Sequence, residues 1–92
     1  MKKVWKFALT VDGLQKLVMP KGAQILTVQN QYGLPCLWAL VDMNERDEIR
    51  YIEVYGTGHE INDGMGSDRV YITTVQFGGG DLAWHFFEYT GI

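Results

Sequence analysis

Apolar and polar residues alternate along most of this chain, and a period of two is the signature of extended strands with one face turned to a core. Trp5, Phe7, Leu9 and Val11 fall on one side of the first such segment, with Val4, Lys6, Ala8 and Thr10 on the other. Asp12-Gly13 supplies the residue types of a two-residue hairpin turn, and Leu14 to Met19 follows as a short second strand with weaker alternation. Met19-Pro20-Lys21-Gly22 suits a type I turn with proline in its second position. It leads into a third strand over Ala23 to Asn30, in which Leu26 and Val28 oppose Ile25 and Thr27. Tyr32-Gly33 then turns the chain into Leu34 to Val41, apolar on both sides. That pattern predicts a central strand buried on both faces, with Pro35 tolerated at its start because it has no N–H to give to the ladder.

The second half repeats the pattern. Asp42 to Glu48 carries four carboxylates and reads as a solvated loop. Ile49 to Tyr55 alternates as a fifth strand, Ile52 and Val54 facing opposite Tyr51 and Tyr55. Residues 56–69 form a fourteen-residue, Gly-rich stretch with four glycines and little apolar content, a length that in compact domains accompanies function or disorder. Val70 to Phe77, rich in β-branched residues, is strand six, Gly78-Gly79-Gly80-Asp81 a turn, and Leu82 to Tyr89 strand seven. Its Trp84 and Phe86 lie on one side, its His85, Phe87 and Tyr89 on the other. The expectation is an all-β fold, about seven short, mainly antiparallel strands in a small sandwich or open barrel, as one domain over residues 1–92.

Composition narrows the functions open to such a fold. Ninety-two residues with 47% apolar and 21% charged content lie in the foldable range. Eight basic against eleven acidic residues, a net charge of −3, argue against an extended nucleic acid as partner, since that affinity comes from neutralised phosphates. The lone Cys36 cannot form an intramolecular disulfide, and Met1-Lys2-Lys3 leads into alternation rather than a continuous apolar signal segment, so a cytoplasmic location is expected. The longest nearly apolar stretch, Leu34 to Val41, is far below the roughly 20 residues of a membrane helix. Because strands four and seven are apolar on both sides, homo-oligomer formation is a natural outlet for the surplus surface.

Little in the chain points to catalysis. His59, His85 and Cys36 have no metal-ligand spacing, and His59-Glu60-Ile61-Asn62-Asp63-Gly64 lacks the order of a calcium loop. Ser67 has no strand-to-helix elbow, Cys36 lies in the most apolar segment where a thiol is inert, and a dyad of His59 with Asp63 or Asp68 rests on proximity alone. The reading is a binding protein that is not an enzyme and carries no cofactor. Gly56-Thr57-Gly58-His59 is the candidate binding element: glycines at alternate positions leave backbone N–H groups to surround an anion, and Thr57 and His59 add donors. Arg69 can add a bidentate phosphate contact. Tyr51 and Tyr55 are candidates to stack on a base, with Tyr32 and Tyr89 as further exposed or interfacial aromatics, whereas Trp5, Trp38 and Trp84 are expected in the core.

Val4-Trp5-Lys6-Phe7, Pro35-Cys36-Leu37-Trp38-Ala39-Leu40-Val41-Asp42, Gly56-Thr57-Gly58-His59 and Trp84-His85-Phe86-Phe87-Glu88, in this order, span nearly the whole chain. As a set they resemble a small family of proteins of tailed phages and prophages, for which no catalytic or ligand-binding residues carry over. The resemblance implies a phage-type protein acting in a host bacterial cytoplasm. By analogy with other small phage proteins it suggests an antagonist of host immunity that sequesters a nucleotide-like second messenger. The alternative is a protein-interaction or virion accessory module whose exposed aromatics meet another protein, for instance one of the host.

Overall fold

The computed structural model describes residues 1–61 and 68–91. Seven strands follow in chain order, β1 (Lys2–Ala8), β2 (Leu14–Pro20), β3 (Gln24–Gln31), β4 (Leu34–Asp42), β5 (Asp47–Gly56), β6 (Arg69–Phe77) and β7 (Leu82–Tyr89), with a three-residue 3-10 turn at Gly78–Gly80. They form two antiparallel sheets, β1-β4-β3 and β2-β5-β7-β6, and neither closes into a barrel. The all-β expectation therefore holds, and the strands lie close to where the alternation places them.

The core sits between the sheets. Val28, Leu37, Ala39 and Val41 from the three-stranded sheet meet Met19, Ile52, Val54, Val75 and Phe86 from the four-stranded one, and Leu9 and Ala23 enter from the connections. Arg50 on β5 ties the layers: its guanidinium grips both carboxylate oxygens of Glu88 on β7, and Nη1 donates to the Ala23 carbonyl at the edge of the other sheet, at 2.8 Å. The hydrogen bonds to Glu88 hold the Arg50 pKa above its usual value. Among the described residues no helix is long and apolar enough to cross a membrane.

Three local expectations are corrected. Asp12-Gly13 does not join a hairpin: β1 pairs with β4 and β2 with β5, so the chain crosses from one sheet to the other. Turn chemistry fixes only local geometry, and beside β4 the residues Trp5 and Phe7 face Ala39 and Leu37. The crossing is held by Gln15, whose side chain donates to the Thr10 carbonyl and accepts from the Thr10 amide, each at 2.9 Å. At the next turn Pro20 still belongs to edge strand β2, and the turn bond runs from Ala23 N to Pro20 O at 3.1 Å, placing the proline first rather than second. Finally, β4 is the central strand of its sheet, but Trp38 is only half-buried, on the face away from the core between Lys6 and Thr27. The core face of β4 is taken by the fully buried Leu37, Ala39 and Val41, one register step away. Trp5 is also outside the core, 37% exposed, because β1 is exposed at six of its seven positions. Trp84 packs against the core, partly buried.

Candidate interaction surface

Strand alternation sends every second residue of the four-stranded sheet away from the core, and in a two-layer antiparallel fold that outer face is ordinarily polar. Here it is not. The register aligns Leu14, Lys16 and Val18 of β2 with Glu53, Tyr51 and Ile49 of β5. It then aligns Tyr51, Glu53 and Tyr55 with Tyr89, Phe87 and His85 of β7, and Tyr89, Phe87 and His85 with Arg69, Tyr71 and Thr74 of β6. Leu14, Val18, Ile49 and Tyr71 are each more than half exposed, and Tyr51, Tyr55, Phe87 and Tyr89 are half-buried. The rings of Tyr55 and Tyr71 meet the Phe87 ring edge-on at 6.1 and 5.5 Å, fixing an aromatic row across three strands.

An ion pair sits inside this aromatic surface. The Glu53 residue is 8% exposed although its strand position faces outward. Arg69 Nε donates to Glu53 Oε1 at 2.8 Å and the Tyr55 hydroxyl to Glu53 Oε2 at 2.7 Å, so both carboxylate oxygens are satisfied. The Arg69 guanidinium carbon also lies 5.9 Å from the centre of the Tyr89 ring. Burial, then the hydrogen bond to Glu53 and its negative charge, push the Tyr55 phenol above its ordinary pKa. Beside this cluster runs a row of smaller polar groups: Tyr71 hydroxyl to Thr74 hydroxyl at 2.8 Å, Thr74 to His85 Nδ1 at 2.9 Å, and His85 Nε2 to the Thr57 hydroxyl at 2.7 Å. With both ring nitrogens bonded, the His85 imidazole is fixed in place as a positioned polar group.

The residues named from sequence divide between two places. Tyr51, Tyr55, Arg69 and Thr57 come together on the outer face. Gly56, Gly58 and His59 form a turn at the end of β5 instead: His59 N donates to Gly56 O at 3.1 Å, and Gly58, third in the turn with φ +85°, has the conformation that favours glycine. At Gly56 the constraint is different, since a Cβ there would lie 2.7 Å from His59 Cε1 and 3.2 Å from Trp84 Cζ3, so the His59 ring would have to move. Three of the amides that would surround an anion are engaged within the chain, Gly56 N on His59 Nδ1 at 3.3 Å, Thr57 N on the Ala83 carbonyl at 3.4 Å and His59 N on the Gly56 carbonyl. The 180 Å³ hollow beside this turn is lined by Gly56, Thr57 and His59 but also by the carboxylate residue Asp81. Asn62, Asp63, Gly64 and Ser67 lie outside the described residues, and Asp68 is used through its carbonyl, which accepts from Thr90 N at 2.9 Å. Among the described residues no three His, Cys, Asp or Glu side chains gather closely enough to hold a metal ion.

Sequence reasoning identified Tyr51, Tyr55 and Arg69 but missed Glu53, Tyr71, Thr74, His85 and Phe87 as members of one surface. The signal was present in part, because Glu53 lies between Tyr51 and Tyr55 at strand spacing and His85, Phe87 and Tyr89 share a side. What the sequence lacked was the pairing that lays β6 and β5 on either side of β7.

Fold and surface together define an open, two-sheet β domain with an aromatic outer face around a buried ion pair. Residues 1–91 match the family model described as a domain of unknown function, DUF7352, and the chain belongs to that family. No curated protein and no solved structure matches it.

Proposed function

We propose that this chain is a phage-type, non-enzymatic binding protein that acts by holding another protein, a host protein in the infected cell, against the outer face of its four-stranded sheet. The observation that carries the reading is the composition of that face: exposed Leu14, Val18, Ile49 and Tyr71 surround half-buried aromatics and a desolvated Glu53–Arg69 pair. Tyrosine and arginine are the residue types in which interface energy concentrates, and apolar surface of this kind on a sheet face is characteristic of protein contact. The phage assignment rests on the four motifs set out above. Nucleotide capture at residues 56–59 has weaker support, because the turn's Gly56, Thr57 and His59 amides already donate within the chain or have their bond inside the turn, and Asp81 lines the same hollow.

Two measurements separate the readings. A tagged chain expressed in a bacterial host retains one defined protein through purification, the Val18→Glu and Tyr71→Glu variants lose it, and Gln29→Glu on the other sheet keeps it. In a thermal-shift screen with cyclic and linear nucleotides, the protein-contact reading predicts no shift. A nucleotide held at 100 times its Kd would add about 2.7 kcal/mol and would replace this reading with second-messenger capture.

A further inference from the structure

The hairpin joining β3 and β4 contains a residue that its own turn disfavours. Gln31 pairs with Leu34, leaving Tyr32-Gly33 as a two-residue loop, with φ +53° at Tyr32 and +84° at Gly33. Positive φ at both positions is the type I′ geometry, which selects Asn-Gly or Gly-Gly. For a bulky side chain it is a genuine outlier. Tyr32 is the one non-glycine residue with positive φ among those described. The turn is supported from elsewhere, by Gly33 N donating to the Asn30 side chain at 2.7 Å. The tyrosine ring is 98% exposed, and among the described residues nothing bonds to it or stacks on it. An aromatic that strains its turn and packs on nothing in its own chain has its use between chains.

A receptacle opens beside it. An apolar cleft of about 440 Å³ lies where the two sheets part, lined by Leu9, Val11, Leu34, Phe77, Leu82 and Trp84, with Gly33 of the same hairpin at its margin. Among the described residues that line it no side chain is ionisable, and Leu34, Leu82 and Val11 leave 64%, 54% and 42% of themselves exposed around it. One end of the molecule thus carries an apolar knob and, next to it, an apolar hollow wide enough for a ring. A knob and a hollow side by side on one chain can be exchanged reciprocally between two copies about a two-fold axis. We infer that two copies of this chain associate through this end, each placing the Tyr32 ring in the other's cleft.

The described lining residues bring no charge of their own to a contact between two copies, each with net charge −3. A contact built on one ring and one cleft from each copy is smaller than the roughly 800 Å² per partner of a standard interface, and the dimer is a weak one. This contact is independent of the outer-face reading, since it uses a different part of the fold and either can fail alone.

Sedimentation velocity from about 10 to 500 µM tests it. The parent mass rises toward twice 10.5 kDa with concentration. Tyr32→Asn, which suits the turn and so folds at least as well, weakens association by about tenfold or more. Leu82→Glu does the same from the cleft side, while Tyr32→Phe retains association. An equimolar mixture of Tyr32→Asn and Leu82→Glu chains regains association beyond either alone, because one intact knob then meets one intact cleft. A parent that stays monomeric over the range, a Tyr32→Asn variant that associates as well as the parent, or a mixture no more associated than its components overturns the inference.

Discussion

Replacing Glu53 by leucine removes the acceptor at the centre of the outer face and leaves the Arg69 guanidinium, only 11% exposed at its side chain, without the carboxylate at 2.8 Å. Two bonds to a charged group are lost together, from Arg69 Nε and from the Tyr55 hydroxyl at 2.7 Å. Each such bond is worth about 1.5–3 kcal/mol, and breaking a buried pair from one side costs about 3–5 kcal/mol, so the two routes to the magnitude agree. A chain of this length has a total stability of roughly 5–14 kcal/mol; Glu53→Leu therefore loses a large share of it. With a urea m-value of about 1.5 kcal/mol per molar, the unfolding midpoint falls by about 2–3 M. Removing the cation as well, in Glu53→Leu with Arg69→Met, recovers part of the loss, because an apolar pair of similar volume leaves no guanidinium deprived of its Glu53 acceptor. A midpoint for Glu53→Leu within about 0.3 M of the parent would refute the burial argument.

Other expectations follow from single contacts. Tyr32→Asn relieves a bulky residue at φ +53° and raises the melting temperature of dilute protein by about 4–8 °C, for a gain near 1 kcal/mol; a lower melting temperature contradicts the strain. Gly56→Ala and Gly58→Ala each cost about 1–2 kcal/mol, for different reasons. The first pushes a Cβ onto His59, so His59→Ala in the same chain recovers part of the loss, while the second is strained by φ +85° with nothing within 4 Å and is not helped by His59→Ala. The raised Tyr55 pKa means the folded state holds its proton more tightly than the unfolded one. Its contribution is complete below the unfolded value of about 10 and is lost as pH rises through the folded one. Stability measured from pH 9 upward therefore declines, and less steeply in Tyr55→Phe; equal slopes in parent and variant would remove Tyr55 as the cause.

The period of two was enough to locate strands because each strand of this fold has at most one face against the core, so burial leaves its mark at every second residue. Pairing left no such mark. Asp12-Gly13 has turn chemistry wherever β1 and β2 go, and it is the contact of Trp5 and Phe7 with the β4 row that sends them to different sheets. Leu34 to Val41 is uniformly apolar, so nothing local says which of Leu37 and Trp38 faces inward; the answer comes from the other sheet, against which Leu37 is fully buried. Arg69 shows the same limit at the site. Its residue type suits a phosphate, but Glu53, sixteen residues away, reaches it across a face that exists only once β5, β7 and β6 are paired.

An outer face of the four-stranded sheet that meets another protein brings that protein within reach of a cross-linker placed on it. The direct measurement places a photo-crosslinking phenylalanine analogue at position 71 on that face, and in a separate chain at position 29 on the three-stranded sheet, with irradiation in a bacterial host expressing the protein. Tyr71 is 57% exposed and Gln29 is exposed, so both positions have room for the analogue, which at position 71 keeps an aromatic ring beside Phe87 and gives up the hydroxyl bond to Thr74. The account predicts one discrete adduct larger than two copies of the chain from position 71, abolished by Val18→Glu in the same chain, and none from position 29. No adduct from position 71, or the same adduct from both positions, would contradict it.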